Sequence, residues 1–447
     1  MNIAENYKNF LKNGKTEREC TTEIIRLAEE KGYKNIDTVE KLKAGDKVYV
    51  SKWNKSIALF NIGSDSIEKG MNILGAHIDS PRLDIKQNPL YESDFIVYLN
   101  THYYGGIKKY QWVTIPLALH GVVCLKNGTT VNISIGENIE DPVFCISDIL
   151  PHLAQKQMEE NAREFIPGES LDIICGSGLP DMDEDSEKDE KNKDKESAKK
   201  NILKILKDKY GIEEKDFNSA ELEVVPAGEP RYLGFDKSLI LAYGQDDRSC
   251  AYTSVQAILD SETTGKTLCC ICVDKEEIGS VGATGMASHF MENAVAEVVA
   301  RLGNYSDLTL RRCLNNSYML SSDVNSAFDP MNAGLYDKKN SSFLGGGIVF
   351  NKYTGSRGKS GASDASPEFI AMLRNALDKA NIKYQLAELG NVDQGGGGTI
   401  AYLAAKYGMY VLDAGVAVLS MHAPWEITSV FDIEEAYKAY KEFLRIK

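Results

Sequence analysis

The chain has 447 residues, a formal charge of −14 and 43% apolar residues, enough for two or three globular domains. That acidity excludes nucleic acid and anionic membrane as main partners, because both demand basic surfaces, and no apolar run reaches the length of a membrane span. The opening MNIAENYKNFLKNGK lacks the apolar core of a secretory signal, and nine scattered cysteines suit a reducing compartment, so a cytoplasmic location is expected.

In chain order, TEIIRLAEEKG reads as a helix capped by Thr21 or Thr22 and closed by Gly32. SIALFNI and MNILGAHID read as strands, the second running out into His77 and Asp79. From about Asn88 to Pro226 the texture changes. IVYLN, QWVTIPLALHGVVCL and TTVNISIG alternate or run β-branched, which predicts a mostly antiparallel unit with one helical piece near His152. Within it, residues 181–200 carry nine acids and six lysines without an aromatic or branched residue. Such a segment cannot bury enough apolar surface to fold alone and reads as a mobile surface loop, with an acidic recruiting patch as the alternative.

After Pro226 strands and helices alternate. LILAYG leads to a helix from about Ser249, and TLCCICV to a helix from about Ala283. NNSYMLSSD is a strand, and SPEFIAMLRNALDKAN a helix with Ser366 as cap and Pro367 in its first position. GGTIAYLAAKYG and MYVLDAGVAVL follow, then a closing helix from Ile433. The alternation predicts an α/β layered domain with a largely parallel sheet, built from residues 1–87 and 227–447, with 88–226 inserted as a β-rich unit. Cys269 and Cys272 have C-x-x-C spacing, but LCCICV has strand character, which favours buried thiols over a redox or zinc site.

Parallel sheets gather ligands at the carboxyl ends of their strands. His77 and Asp79 follow one apolar run; Asp246 and Asp247 another; Asp323 and His422 two more. CVDKEEIGSVGATGM adds the adjacent pair Glu276 and Glu277 before glycine-rich chain. Taken singly, each has an ordinary reading as a core histidine, a turn cap or a solvated acid. Together, two histidines and several carboxylates suit a pair of divalent cations, zinc first, with manganese or cobalt as competitors. Such a pair needs a bridging carboxylate and a shared water. One glutamate can bind metal while its neighbour takes the water's proton. Adjacent side chains on a strand face opposite ways, so the pair must sit where the chain turns.

The ordered set GAHIDSPRLDIK, GGIKKYQWVTIPLALHGVV, LPHLA, QDDRSCAY, DKEEIGS, SSDVNSAFDP, GGGTIAYLAAKYGMYVLDAG and SMHAPWE resembles the aspartyl aminopeptidase family of zinc metallopeptidases along nearly the whole chain. The resemblance implies two zinc ions per subunit, one held by His77, Asp246 and Asp323, the other by Asp246, Glu277 and His422. It makes Glu276 the general base, sets Asp79 behind His77 as its orienting carboxylate, and implies a cis peptide between Asp246 and the supporting Asp247. It implies that the inserted unit forms a dimer and that dimers build a dodecamer enclosing the sites and admitting peptides. It suggests that His152 stabilises the tetrahedral intermediate in a neighbouring subunit; a zinc-ligand role and a structural role are the alternatives.

One departure bears on specificity. Relatives use a basic residue near the segment matching GGGIVFNKYTGSRG, where the aligned position here is Val349. Lys352 and Arg357 stand nearby as candidate substitutes, so a preference for N-terminal Asp or Glu is left open. Gly395 to Gly398 open a helix on this reading, with Gly396 and Gly397 as candidates to seat a substrate carboxylate on backbone N–H groups; close packing is the alternative. The expected function is an aminopeptidase. A deacylase or amidohydrolase of the same fold, or a non-catalytic assembly protein, are the rival readings.

Overall fold

The computed structural model describes residues 2–178, 197–262, 265–303, 305–397 and 400–447. The chain divides into two compact units, one of Met1–Ser80, Pro230–Met421 and Trp425–Lys447, the other of Pro81–Glu229 with His422–Pro424. The long strand Arg82–Ser93 falls wholly in the second unit, so the division comes at Ser80 rather than after residue 87.

The first unit is mixed α/β and holds a nine-stranded sheet. Its order is Lys34–Asn35, Lys47–Lys52, Ser56–Asn61, Thr267–Val273, Met71–His77, Tyr318–Ser321, Tyr410–Gly415, Ile348–Asn351 and Tyr384–Leu386. The four strands from Thr267–Val273 to Tyr410–Gly415 run parallel, while antiparallel pairings flank them. Alternate side chains feed two cores. Leu74, Cys270, Cys272, Leu320 and Leu412 pack with helices Ile3–Asn13, Glu17–Glu30, Gln245–Leu259, Pro367–Lys379 and Val430–Leu444. Ile73, Cys269, Ile271, Met319 and Val411 pack with helices Phe290–Arg301, Asp307–Asn315 and Ala401–Ala405. Cys269 and Cys272, three apart on a strand, therefore enter different cores, and all nine cysteines are free.

A second, five-stranded sheet in this unit was not foreseen from the sequence. Its order is Arg231–Leu233, Leu239–Ala242, Glu426–Ser429, Ala417–Leu419 and Asn325–Ser326. LILAYG and the GVAVL end of its run thus belong here and not to the large sheet. Helix boundaries also shift. Glu17–Glu30 starts a full turn before Thr21, because Thr16 and Glu19 close a reciprocal capping box. The helix expected from about Ala283 begins at Phe290, after a turn tight enough that a Cβ on Gly285 would lie 2.2 Å from the Ser280 carbonyl. Ser366 caps the next long helix with Pro367 in first place, as the sequence predicts.

The second unit holds a six-stranded antiparallel sheet, in the order Thr130–Ile135, Leu117–Cys124, Ala220–Pro226, Arg82–Ser93, Ile96–Tyr104 and Ile173–Ser177. The helical piece near His152 is a short 3-10 turn, Pro151–Leu153, followed by Gln155–Met158. Of the acidic segment, residues 181–196 lie outside the described residues. Residues 197–200 are not loop but the start of helix Ser197–Tyr210, whose Ile202 packs on Gly176. Among the described residues no helix is long and apolar enough to cross a membrane.

Candidate metal centre and active site

The parallel strands bury both faces; Asp413 lies buried inside Tyr410–Gly415, but the groups of the cluster stand where strands stop or the chain turns. His77 is the last residue of its strand, every member of which is buried. Asp323 comes two residues after the neighbouring strand Tyr318–Ser321 ends. Asp246 does not end a strand. It lies in the first turn of helix Gln245–Leu259, and Gly244 makes the preceding bend at φ 68°. The Asp246–Asp247 bond is trans, as are all peptide bonds among the described residues. The expected cis bond is therefore corrected: a glycine in the left-handed region reverses the chain instead.

Glu276 and Glu277 occupy the 3-10 turn Glu276–Ile278, bracketed by Lys275 at φ 71° and Gly279 at φ 96°. A turn is what the adjacent pair demanded. Asp79 secures it: Oδ1 accepts the Glu276 N–H at 3.0 Å and Oδ2 the Glu277 N–H at 3.2 Å. The Asp79 carbonyl accepts from His77 Nδ1 at 3.3 Å, with the carboxylate Oδ1 at 3.6 Å from the same nitrogen. Asp79 thus orients the imidazole chiefly through its backbone and the glutamates through its side chain.

With its Nδ1 proton donated to a carbonyl, His77 turns Nε2 toward Asp323 Oδ1, 3.6 Å away. Ligand atoms of His77, Asp246 and Asp323 all lie within 4.8 Å of one another, as do those of His77, Glu276 and Glu277. Burial pushes the His77 imidazole down, but the Asp323, Asp79 and Glu276 carboxylates outweigh it and hold the group well above its ordinary value. Glu276 is pushed up to about 8, first by burial and then by Asp323, Asp79 and Asp246, against the opposing pull of His77. Asp247 is pushed up to about 6 by burial and by Asp246. Its Oδ2 accepts from the Ser80 hydroxyl, while among the described residues nothing hydrogen-bonds to the buried Oδ1.

These observations test whether zinc fits. Two donors on one tetrahedral zinc, each at about 2.0–2.1 Å, stand roughly 3.3 Å apart, near the 3.6 Å between His77 Nε2 and Asp323 Oδ1, which is too long for a hydrogen bond. Crowded carboxylates with one imidazole call for positive charge, and the donor types suit zinc. The residues fit the metal.

His422 groups with the second unit, at φ 63°, where Nδ1 donates to the Gly106 carbonyl at 2.9 Å. His152 is exposed on its 3-10 turn in that unit. Val349, the position aligned with the family's basic residue, is wholly buried in its strand. Lys352 is half-buried with Nζ 4.9 Å from the Tyr353 ring centre, and Arg357 is exposed at φ 52°. The glycine run does not open a helix directly, since the next helix begins at Ala401, and Gly398 lies outside the described residues. Packing explains part of the run: a Cβ on Gly395 would lie 1.8 Å from the Leu389 carbonyl, and one on Gly396 2.1 Å from that of Gly355. Gly397 has no such crowding.

Glu426 escaped the sequence reading. Its buried carboxylate accepts the backbone N–H groups of Gln245 and Asp246. The trace it leaves in the sequence is a lone acid opening the alternating EITSV, which no local spacing links to Asp246.

The model of the aminopeptidase I zinc metalloprotease (M18) family matches residues 10–444. A probable M18 family aminopeptidase 1 of Clostridium acetobutylicum is 56% identical over 446 residues, covering 99% of this chain and 94% of that protein. The crystal structure of an M18 family aminopeptidase from Thermotoga maritima aligns with a TM-score of 0.93 at 43% identity, covering 99% of this chain and 95% of that one. The S. cerevisiae mApe1 dodecamer, 20% identical with a TM-score of 0.76 over 99% and 96% of the two chains, shares the fold. The chain belongs to the aminopeptidase I zinc metalloprotease family, and its class of chemistry is that of a zinc aminopeptidase.

Proposed function

We propose that the cluster around His77 is a dinuclear zinc centre that removes the N-terminal residue from peptides. His77, Asp246 and Asp323 would hold one zinc; Asp246, Glu277 and His422 would hold the other, with Asp246 shared. Manganese or cobalt compete for the same donors. When bound, the ions supply Lewis-acid polarisation of the scissile carbonyl and lower the pKa of water. Glu276 takes the attacking water's proton and returns it to the leaving amine. Asp79 keeps that base and Glu277 in register through their backbone N–H groups, and Asp247 backs the histidine.

The observation carrying this reading is the convergence of His77, Asp246 and Asp323 with a glutamate pair on a turn, in a chain of a zinc aminopeptidase family. Lys352, Arg357, Gly396 and Gly397 are the candidates for substrate contacts. The first unit would be the layered αβα catalytic domain and the second an inserted dimerisation domain, with a dodecamer as the full assembly in the cytoplasm. Exposed Ile139, Val143, Ile149, Leu150, Leu153 and Met158, close in sequence on the second unit, support an interface there. His152, within this stretch, would serve the neighbouring copy's site as an oxyanion stabiliser.

Glu276→Gln tests the proposal. Turnover of an aminoacyl amide should fall by about 10²–10⁴-fold, with zinc content and melting temperature unchanged. Wild-type turnover in this variant would remove Glu276 as the base. Faster cleavage of N-acyl amino acids than of any aminoacyl amide would make the protein a deacylase instead.

A further inference from the structure

Helix Gln245–Leu259 carries Asp246 in its first turn, yet its N-terminus has no capping side chain of its own. The residue in the cap position is Gly244, where an added Cβ would lie 1.9 Å from Arg248 Nη1. At φ 68° this position favours glycine, and any side chain there would have to displace the Arg248 guanidinium, so the first N–H donors take an acceptor from elsewhere. Glu426 supplies it from far along the chain: Oε2 accepts from the Gln245 N–H at 2.6 Å and the Asp246 N–H at 3.0 Å.

The tether is doubled through the Gln245 side chain, which is itself wholly buried. Its Nε2 donates to the Glu426 carbonyl at 2.6 Å and the Ile240 carbonyl at 3.1 Å. Its Oε1 accepts from the Thr428 hydroxyl at 2.6 Å and the Tyr7 hydroxyl at 3.2 Å. All four hydrogen-bonding sites of the amide are used. The backbone immediately before Asp246 is thereby pinned to the strand Glu426–Ser429 and has little freedom to rotate. A small side chain (Ser, Thr, Asn or Asp) usually serves as a helix cap. Here a carboxylate with 1% exposure does it, at a desolvation cost that the charge-assisted bonds and the helix dipole offset.

We infer that Glu426 is a positioning residue for the metal centre: by holding the Gln245 and Asp246 N–H groups it fixes where the Asp246 carboxylate stands. This rests on the reading of Asp246 as the shared ligand. Glu426 follows His422 by four residues, so one short segment carries both a proposed ligand and the clamp on another.

Wild type, Glu426→Asp and Glu426→Gln are loaded with zinc or cobalt. Metal affinity is read by chelator competition, the ligand field by the visible bands of the cobalt forms, and folding by melting temperature. Glu426→Asp withdraws the acceptor by one methylene and should weaken binding by about 10–100-fold and shift the cobalt bands while remaining folded. Glu426→Gln keeps a carbonyl oxygen at the same reach and should show a smaller but measurable change in both. If both variants keep wild-type affinity and bands and lose only melting temperature, Glu426 is a helix cap and the inference is overturned. If Glu426→Asp does not fold, the bands of Glu426→Gln decide, unchanged bands overturning it. A wild-type protein that binds fewer than two ions would instead sink the dinuclear reading, whatever the variants do.

Discussion

The two large sheets handle polar groups in different ways. In the nine-stranded sheet, Met71–His77 and Thr267–Val273 bury every residue. In the six-stranded sheet, Thr130–Ile135 alternates in exposure along its length, and Tyr91 and Tyr103 stay exposed. His77 and Asp323 stand where strands covered on both faces stop, although the same sheet also buries Asp413 within Tyr410–Gly415. A strand covered on one face distributes polar residues along its length and leaves apolar ones uncovered. The first arrangement concentrates chemistry, and the second offers surface.

Three substitutions can break or sharpen that contrast. Ile271 is wholly buried in the nine-stranded sheet, so Ile271→Ala should cost about 2–5 kcal/mol in denaturant unfolding; a loss well below that range would mean the two-sided core collapses around the gap. Asp79 lies just past the His77 strand, and Asp79→Asn leaves one acceptor oxygen for the two N–H groups of Glu276 and Glu277. It should lower kcat by about 10–100-fold with zinc retained, and an unchanged kcat would free the glutamate turn from that carboxylate. Leu153, 70% exposed on the second unit, should tolerate Leu153→Ser within about 0.5 kcal/mol. Light scattering should nevertheless show a smaller assembly, and wild-type mass would remove this stretch from the interface.

The same contrast explains what could be read in advance. MNILGAHID and NNSYMLSSD announce their polar ends because the apolar run is continuous and its termination abrupt, so His77 and Asp323 were legible. Glu276 and Glu277 were legible as a turn because neither face of a strand could take both. Asp246 was found but on the wrong element. The helix it opens begins with the buried polar run Gln245, Asp246, Asp247, Arg248 and Ser249, which hides the apolar periodicity that marks a helix. The five-stranded sheet was missed because its strands are two to four residues long. Glu426 was missed because its partnership with Asp246 spans 180 residues and leaves no local pattern.

Thiol chemistry divides along the same line. The six buried cysteines all belong to the first unit, and burial pushes Cys20, Cys250 and Cys313 up to about 12, so at neutral pH they stay in the unreactive protonated form. Cys124, on the second unit, is exposed. An electrophile or oxidant therefore marks the antiparallel unit first and spares the first unit, where alkylation registers only the opening of the core.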